Sequence, residues 1–132
     1  MAFTQGDFLG RTIQVLGKIS QAPMATVQTL TLFNTPPQPP GSLAKTFVLC
    51  VIVDNPAAGN SGTLTASIGS TATATDFATS GSITVPVVAS APSVIMAAAA
   101  TGIVYAQGVP FNFKITAGGV GAADITALGW IE

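Results

Sequence analysis

The chain has no histidine, one cysteine and very little charge: four basic and five acidic side chains in 132 residues, for a net charge of −1. Without histidine the commonest general base and the commonest zinc ligand are both missing, which excludes most familiar catalytic and metal constellations. A single cysteine rules out an intrachain disulfide. Cys50 stands within the apolar run Phe47-Val48-Leu49-Cys50-Val51-Ile52-Val53 and reads as a buried, inert thiol. Arg11, Lys18, Lys45 and Lys114 are spread along the chain, so the basic patch that phosphate binding requires is absent and no nucleic-acid partner is expected.

Targeting and membrane signals are missing as well. The start, Met1-Ala2-Phe3-Thr4-Gln5-Gly6-Asp7, has no basic segment followed by an apolar one, as a secretory signal would. No charged residue occurs from Phe77 to Phe113, and Val85 to Ala106 is apolar enough to raise a membrane span. Pro86, Pro92 and Gly102 interrupt that stretch and Ser90, Ser93 and Thr101 add polar cost, so no span and no membrane partner are expected.

What remains is an apolar, hydroxyl-rich chain of one-domain size. Its charged fraction is 7%, against roughly 25% in ordinary soluble domains. A folded monomer of this mass exposes roughly 6,400 Å², and so few charges spread over that area imply that other protein covers much of it.

Alternating polarity recurs along the chain and marks strands. Leu64, Ala66 and Ile68 alternate with Thr63, Thr65 and Ser67, and Phe111, Phe113 and Ile115 alternate with Asn112, Lys114 and Thr116. Each pattern sets an apolar face on a core and a polar face outward. Further strands are expected at Arg11 to Ile19, Thr26 to Phe33, Thr46 to Val53, Ser82 to Val87, Val94 to Tyr105 with a split near Thr101-Gly102, and Ile125 to Ile131. Turn residues fall between them, at Asp54-Asn55-Pro56, Gly59-Asn60-Ser61-Gly62, Ser80-Gly81, Gln107-Gly108 and Gly118-Gly119-Val120-Gly121. The expected fold is all-β: a single jelly-roll-like antiparallel β-sandwich of about eight strands with an extended N-terminal arm. The arm is residues 1–10 and the sandwich is residues 11–132. Ala97-Ala98-Ala99-Ala100 supports at most a short helical turn.

Individual chemistry is thin. Asp7, Asp54, Asp76, Asp124 and Glu132 are isolated in sequence, so a carboxylate pair of the glycosidase kind would have to come from folding alone, and turn-capping roles are the simpler expectation. Gly119-Val120-Gly121 begins like a dinucleotide fingerprint, but Asp124 takes the third glycine position and no helix signal follows. The loop Asp54 to Asn60 offers oxygen ligands with a single carboxylate, which suits an Asx turn better than calcium. Trp130 and Tyr105 both lie in apolar strands and do not form an exposed sugar-stacking platform. No catalytic residue, cofactor or metal is expected.

Contact residues are easier to find. Ile125, Ala127, Gly129 and Ile131 share one face of the last strand, and Leu128 and Trp130 share the other. A terminal strand apolar on both sides suggests that Leu128 and Trp130 meet another subunit. Phe3 and Phe8 make the arm either a docking segment or a loose end. Pro36, Pro37, Pro39 and Pro40 lack amide donors, so the segment Asn34 to Gly41 reads as an extended connection, exposed or laid along a neighbour.

The C-terminal half supplies a resemblance. Gly62-Thr63-Leu64-Thr65-Ala66-Ser67-Ile68-Gly69, Asp76-Phe77, Tyr105, Val109-Pro110-Phe111-Asn112-Phe113-Lys114-Ile115-Thr116 and Ala122-Ala123-Asp124-Ile125 together resemble small virion proteins of tailed bacteriophages, the decoration or cement proteins and fibre-like head proteins. The resemblance covers about half the chain and rests on pattern rather than on an invariant motif. It implies a jelly-roll sandwich assembled as a homotrimer on the capsid, holding neighbouring major capsid proteins together, in a virion assembled in the host cytoplasm, with no active-site residues. Another virion part (head fibre, tail or small capsid protein) and a β-sandwich that binds glycan or calcium are the alternatives.

Overall fold

The computed structural model describes residues 7–8, 11–35, 45–57, 62–70, 76–77, 83–88, 91–97, 103–105, 108–117 and 121–131, and every regular element among them is a β-strand. In chain order these are β1 (Asp7–Phe8), β2 (Arg11–Thr12), β3 (Gln14–Pro23), β4 (Gln28–Asn34), β5 (Thr46–Asp54), β6 (Gly62–Gly69), β7 (Ile83–Val87), β8 (Ser93–Met96), β9 (Ile103–Tyr105), β10 (Pro110–Ala117) and β11 (Ala122–Ile131). The expected Val94 to Tyr105 strand is divided into β8 and β9; Thr101-Gly102, where the split was expected, lie outside the described residues. Within the expected arm, β1 pairs with β2 in a short antiparallel ladder that reaches across residue 10 into the sandwich side. Ala98 to Ala100, Pro36 to Pro40, and Gly59 to Ser61 lie outside the described residues.

Two sheets pack face to face. One has the order β3-β11-β5-β8, with β9 continuing the β8 edge along β5; the other has the order β4-β10-β6-β7. The pairings nest: β6 pairs β7, β5 pairs β8 and β9, β4 pairs β10, and β3 pairs β11, all antiparallel. The chain is thus one long hairpin with its apex between β6 and β7, rolled so that successive nested pairs alternate between the two sheets. That is the jelly-roll arrangement, and the expected fold class is met.

The inner faces follow the sequence alternation. Leu64, Ala66 and Ile68 of β6 are buried, as are Phe111, Phe113 and Ile115 of β10, against Val48, Val51 and Val53 of β5 and Ala123, Ile125 and Ala127 of β11. Phe111 is the hub: it stacks on Phe33 with centroids 5.3 Å apart, and takes Phe77 at 5.5 Å and Tyr105 at 5.4 Å edge-on. Edge-to-face contacts of this kind add about 0.5–1.5 kcal/mol each beyond area burial.

Register shifts interrupt several of the ladders. One falls between Leu128 and Gly129 of β11 against β5. A Cβ on Gly129 would stand 1.9 Å from the Phe47 carbonyl oxygen and 2.8 Å from Leu16 Cδ1, so only glycine lets the backbones come this close. The start of the proline connection is pinned: Thr35 N–H donates to the Val109 carbonyl at 2.9 Å, and Val109 N–H donates to Thr35 Oγ1 at 2.7 Å.

Candidate protein interface

Residues directly opposite one another in an antiparallel ladder project from the same face, so the register defines what each sheet presents outward. On the four-stranded sheet, Thr31 faces Asn112, Thr29 faces Lys114, Lys114 faces Ser67, Thr65 faces Thr84 and Thr63 faces Pro86. This surface is hydroxyl and amide throughout, apart from Lys114 and Pro86. Asn112, buried, accepts a hydrogen bond from Thr31 Oγ1 at 2.8 Å through its side-chain oxygen.

The five-stranded sheet presents the opposite chemistry. Val15 faces Leu128, Leu128 faces Cys50, and Cys50 faces Met96, giving an uninterrupted apolar row across four strands. The next row is Lys18, Thr126, Ile52 and Val94. Val15, Val94 and Met96 are 60%, 52% and 53% exposed, whereas Cys50 at the centre is 6% exposed. Further along, Trp130 pairs with Phe47 and the rings stack 5.3 Å apart at 13°. Neither Cys50 nor Trp130 belongs to the core cluster between the sheets. β5 and β11 are therefore apolar on both faces, in keeping with the unbroken apolar run around Cys50.

One end of this face is closed by a polar clasp. Asp124 accepts from the Gln21 backbone N–H at 2.7 Å, from Asn55 Nδ2 at 3.1 Å and from Gln21 Nε2 at 3.1 Å, with Lys18 Nζ 3.9 Å away. These contacts hold its carboxyl below the ordinary carboxylate range: the Gln21 N–H contributes most, then the Asn55 amide, against an opposing push from burial. Gln21 and Asn55 both have left-handed backbones, with φ of 50° and 51°. Such a conformation costs a non-glycine residue about 1–2 kcal/mol. The carboxylate between them offsets that strain by tying β3, β11 and the end of β5 together.

This arrangement bears on the oxygen-rich loop after Asp54. The Asn55 amide donates to Asp124 and its carbonyl accepts from Gln21 Nε2 at 2.9 Å, so both groups serve the clasp. Among the described residues no three histidine, cysteine or carboxylate side chains gather as metal ligands. A second carboxylate, Asp76, accepts from Ser70 N–H at 2.8 Å and Ser70 Oγ at 2.6 Å, with Tyr105 Oη at 3.4 Å. Burial, then the Asp76 charge, pushes the Tyr105 hydroxyl upward. Burial also raises the Cys50 thiol, away from the reactive thiolate. Both carboxylates secure loops onto strands.

The structure sorts the expected contact residues unevenly. Leu128 sits on the outward apolar row, half-buried. Trp130 lies on the same side of β11 but is only 2% exposed within the single chain. Phe8 falls in β1, while Phe3, Pro36, Pro37, Pro39 and Pro40 lie outside the described residues. Val15, Ile52, Val94 and Met96 were not singled out from sequence. The signal that could have found them is the β5 run itself, since seven consecutive apolar residues in a strand must load both faces.

No protein family matches the chain, and no curated protein does. A solved chain described as "Cyanophage Pam1 capsid asymmetric unit" aligns with 98% of this chain and 92% of its own, at 14% identity and a TM-score of 0.43. No described helix is long and apolar enough to cross a membrane.

Proposed function

We propose that this chain is a non-enzymatic structural protein of a bacteriophage virion: a decoration or cement protein that assembles as a homotrimer in the host cytoplasm and bridges major capsid proteins on the outer capsid surface. The observation that carries the reading is the two-faced sandwich, with one outward face of hydroxyls and the other an apolar row ending in Val15 and Met96. A chain with four basic and five acidic side chains has little else to keep such a face in water. The apolar face is where other virion protein lies, and the hydroxyl face is the side left to solvent. Phe3, Phe8 and the prolines Pro36, Pro37, Pro39 and Pro40 extend that contact, because stiff, apolar segments lose little backbone entropy when they dock. The phage-like pattern of the C-terminal half agrees with this reading.

The test is composition and position in the particle. Gradient-purified virions from cells that produce the chain should contain it in many copies, on the outside, where protease reaches it before the major capsid protein. Light scattering of the isolated protein should give a mass near three times 13.1 kDa. Absence of the chain from purified particles refutes the virion assignment, and a strictly monomeric mass refutes the trimer.

A further inference from the structure

A sheet edge presents unpaired backbone groups, and proteins usually blunt it with bulges, charge or proline. The edges here are treated unequally. β3 carries two register shifts against β11 and the charge of Lys18. β4 is shifted against β10 next to Asn112, and β7 holds Pro86. β8 has none of these: Ser93–Met96 is uncharged, free of proline and in unbroken register with β5, and no described strand pairs with its other side.

Hydrogen-bond alternation says which groups that edge offers. Ala97 N–H donates to the Leu49 carbonyl at 2.9 Å, so the bonded pairs between β5 and β8 run through Ala97, Ile95 and Ser93. The N–H and C=O of Val94 and Met96 therefore point away from β5, off the sheet. The same residues put half-exposed side chains at the end of the apolar rows.

We infer that β8 is a strand-addition site and that its occupant is β8 of a second copy, antiparallel about a two-fold axis centred on Ile95. That register places Val94 opposite Met96 of the other copy, on the outward face, and returns every edge N–H to a carbonyl. Neither strand carries a charge to repel its twin, which would be penalised directly opposite itself. The apolar row ending in Met96 of each copy then meets the Ile52–Val94 end of the neighbouring row of the other copy. Four residues form a short ladder, so pairing rises with the concentration of free chain and is strongest where copies are already held close, as in an assembly. It joins copies laterally whatever the apolar face docks on.

Cysteine cross-linking reads the register. In a Cys50→Ala background, which removes the thiol opposite Met96, Val94→Cys protein is mixed with Met96→Cys protein under mild oxidation. Opposed positions stand about 5.5 Å apart, within disulfide reach, whereas either residue and its own twin are offset by two residues and stand beyond about 7 Å. The mixture should form covalent dimer at least about 10-fold faster than either variant alone. Equal rates, or no dimer, overturn the inference. Separately, Val94→Pro deletes an outward N–H without touching a β5 bond, the device the protein itself has at Pro86. As concentration rises the chain should show in sedimentation a doubling of the mass it has when dilute, whether that is one copy or three, and Val94→Pro with unchanged circular dichroism should not. Doubling in both overturns the inference; if Val94→Pro does not fold, the cross-linking decides alone. Because neither assay contains particles, cross-linking by a chain that is absent from virions would refute the virion reading and leave the β8 contact standing.

Discussion

Replacing Val15, Val94 and Met96 together by threonine isolates the outward apolar face from the fold. The side chains are 60%, 52% and 53% exposed, so each contributes little to the folded monomer and has about half its surface left to bury on docking. Full burial of such a side chain is worth about 1.5–3 kcal/mol, so half-burial is worth about 1 kcal/mol each and the set about 3 kcal/mol per copy. That corresponds to roughly 100-fold in affinity. Threonine keeps the strand preference, and exposed substitutions of this kind alter stability by less than about 0.5 kcal/mol each. Urea denaturation should therefore show a nearly unchanged midpoint. In cells producing tagged wild-type and triple-threonine chains in equal amounts, purified particles should be strongly enriched in wild type. Equal incorporation by an equally stable variant would refute the assignment of this face to virion contact.

Other changes separate fold from contact. Asp124→Asn should cost about 2 kcal/mol at neutral pH, the worth of charged hydrogen bonds to Gln21 and Asn55. Because the folded-state carboxyl is held low, its contribution is full at neutral pH and fades as pH falls from the unfolded value through the folded one, so acid unfolding curves of wild type and Asp124→Asn should begin to converge below about pH 4. Trp130→Ala should lower monomer stability by about 3–5 kcal/mol in chemical denaturation, since the ring is covered and stacked on Phe47 within one chain. A variant that loses assembly at undiminished stability would return Trp130 to a purely intersubunit role. Deleting residues 1–10 should leave the circular dichroism of the sandwich intact and reduce retention on particles; equal retention would remove the arm from the contact.

The strands and their inward residues were legible because a period of two is local information. Phe111, Phe113 and Ile115, or Leu64, Ala66 and Ile68, need only their own neighbours to declare a buried face. The outward row was not legible, because Val15, Leu128, Cys50 and Met96 come from four strands far apart in sequence and become a surface only through register. The shift between Ala127 and Leu128 shows why: it sets Val15 rather than Leu16 opposite Leu128, and Leu16 packs against the core instead. The clasp was hidden for the same reason. Asp124 and Gln21 are 103 residues apart, and nothing local marks Gln21 for a left-handed backbone.

Placement of the few charges constrains how any contact on this molecule is made specific. Lys18 enters the outward rows only at their β3 end, where it stands beside Asp124, and Lys114 lies on the hydroxyl face. The row from Val15 to Met96 has no charged member. A surface like this cannot choose a partner or an orientation by matching charge, which elsewhere steers encounter and fixes register. Discrimination must come from shape and from directional backbone groups. The apolar rows supply the first without direction; the outward N–H and C=O of Val94 and Met96 supply the second, since a strand accepts a neighbour only at whole-residue register. On the contacts proposed above, binding strength and binding geometry would be carried by different parts of the same sheet, its face and its β8 edge, which meet at the same two residues, Val94 and Met96.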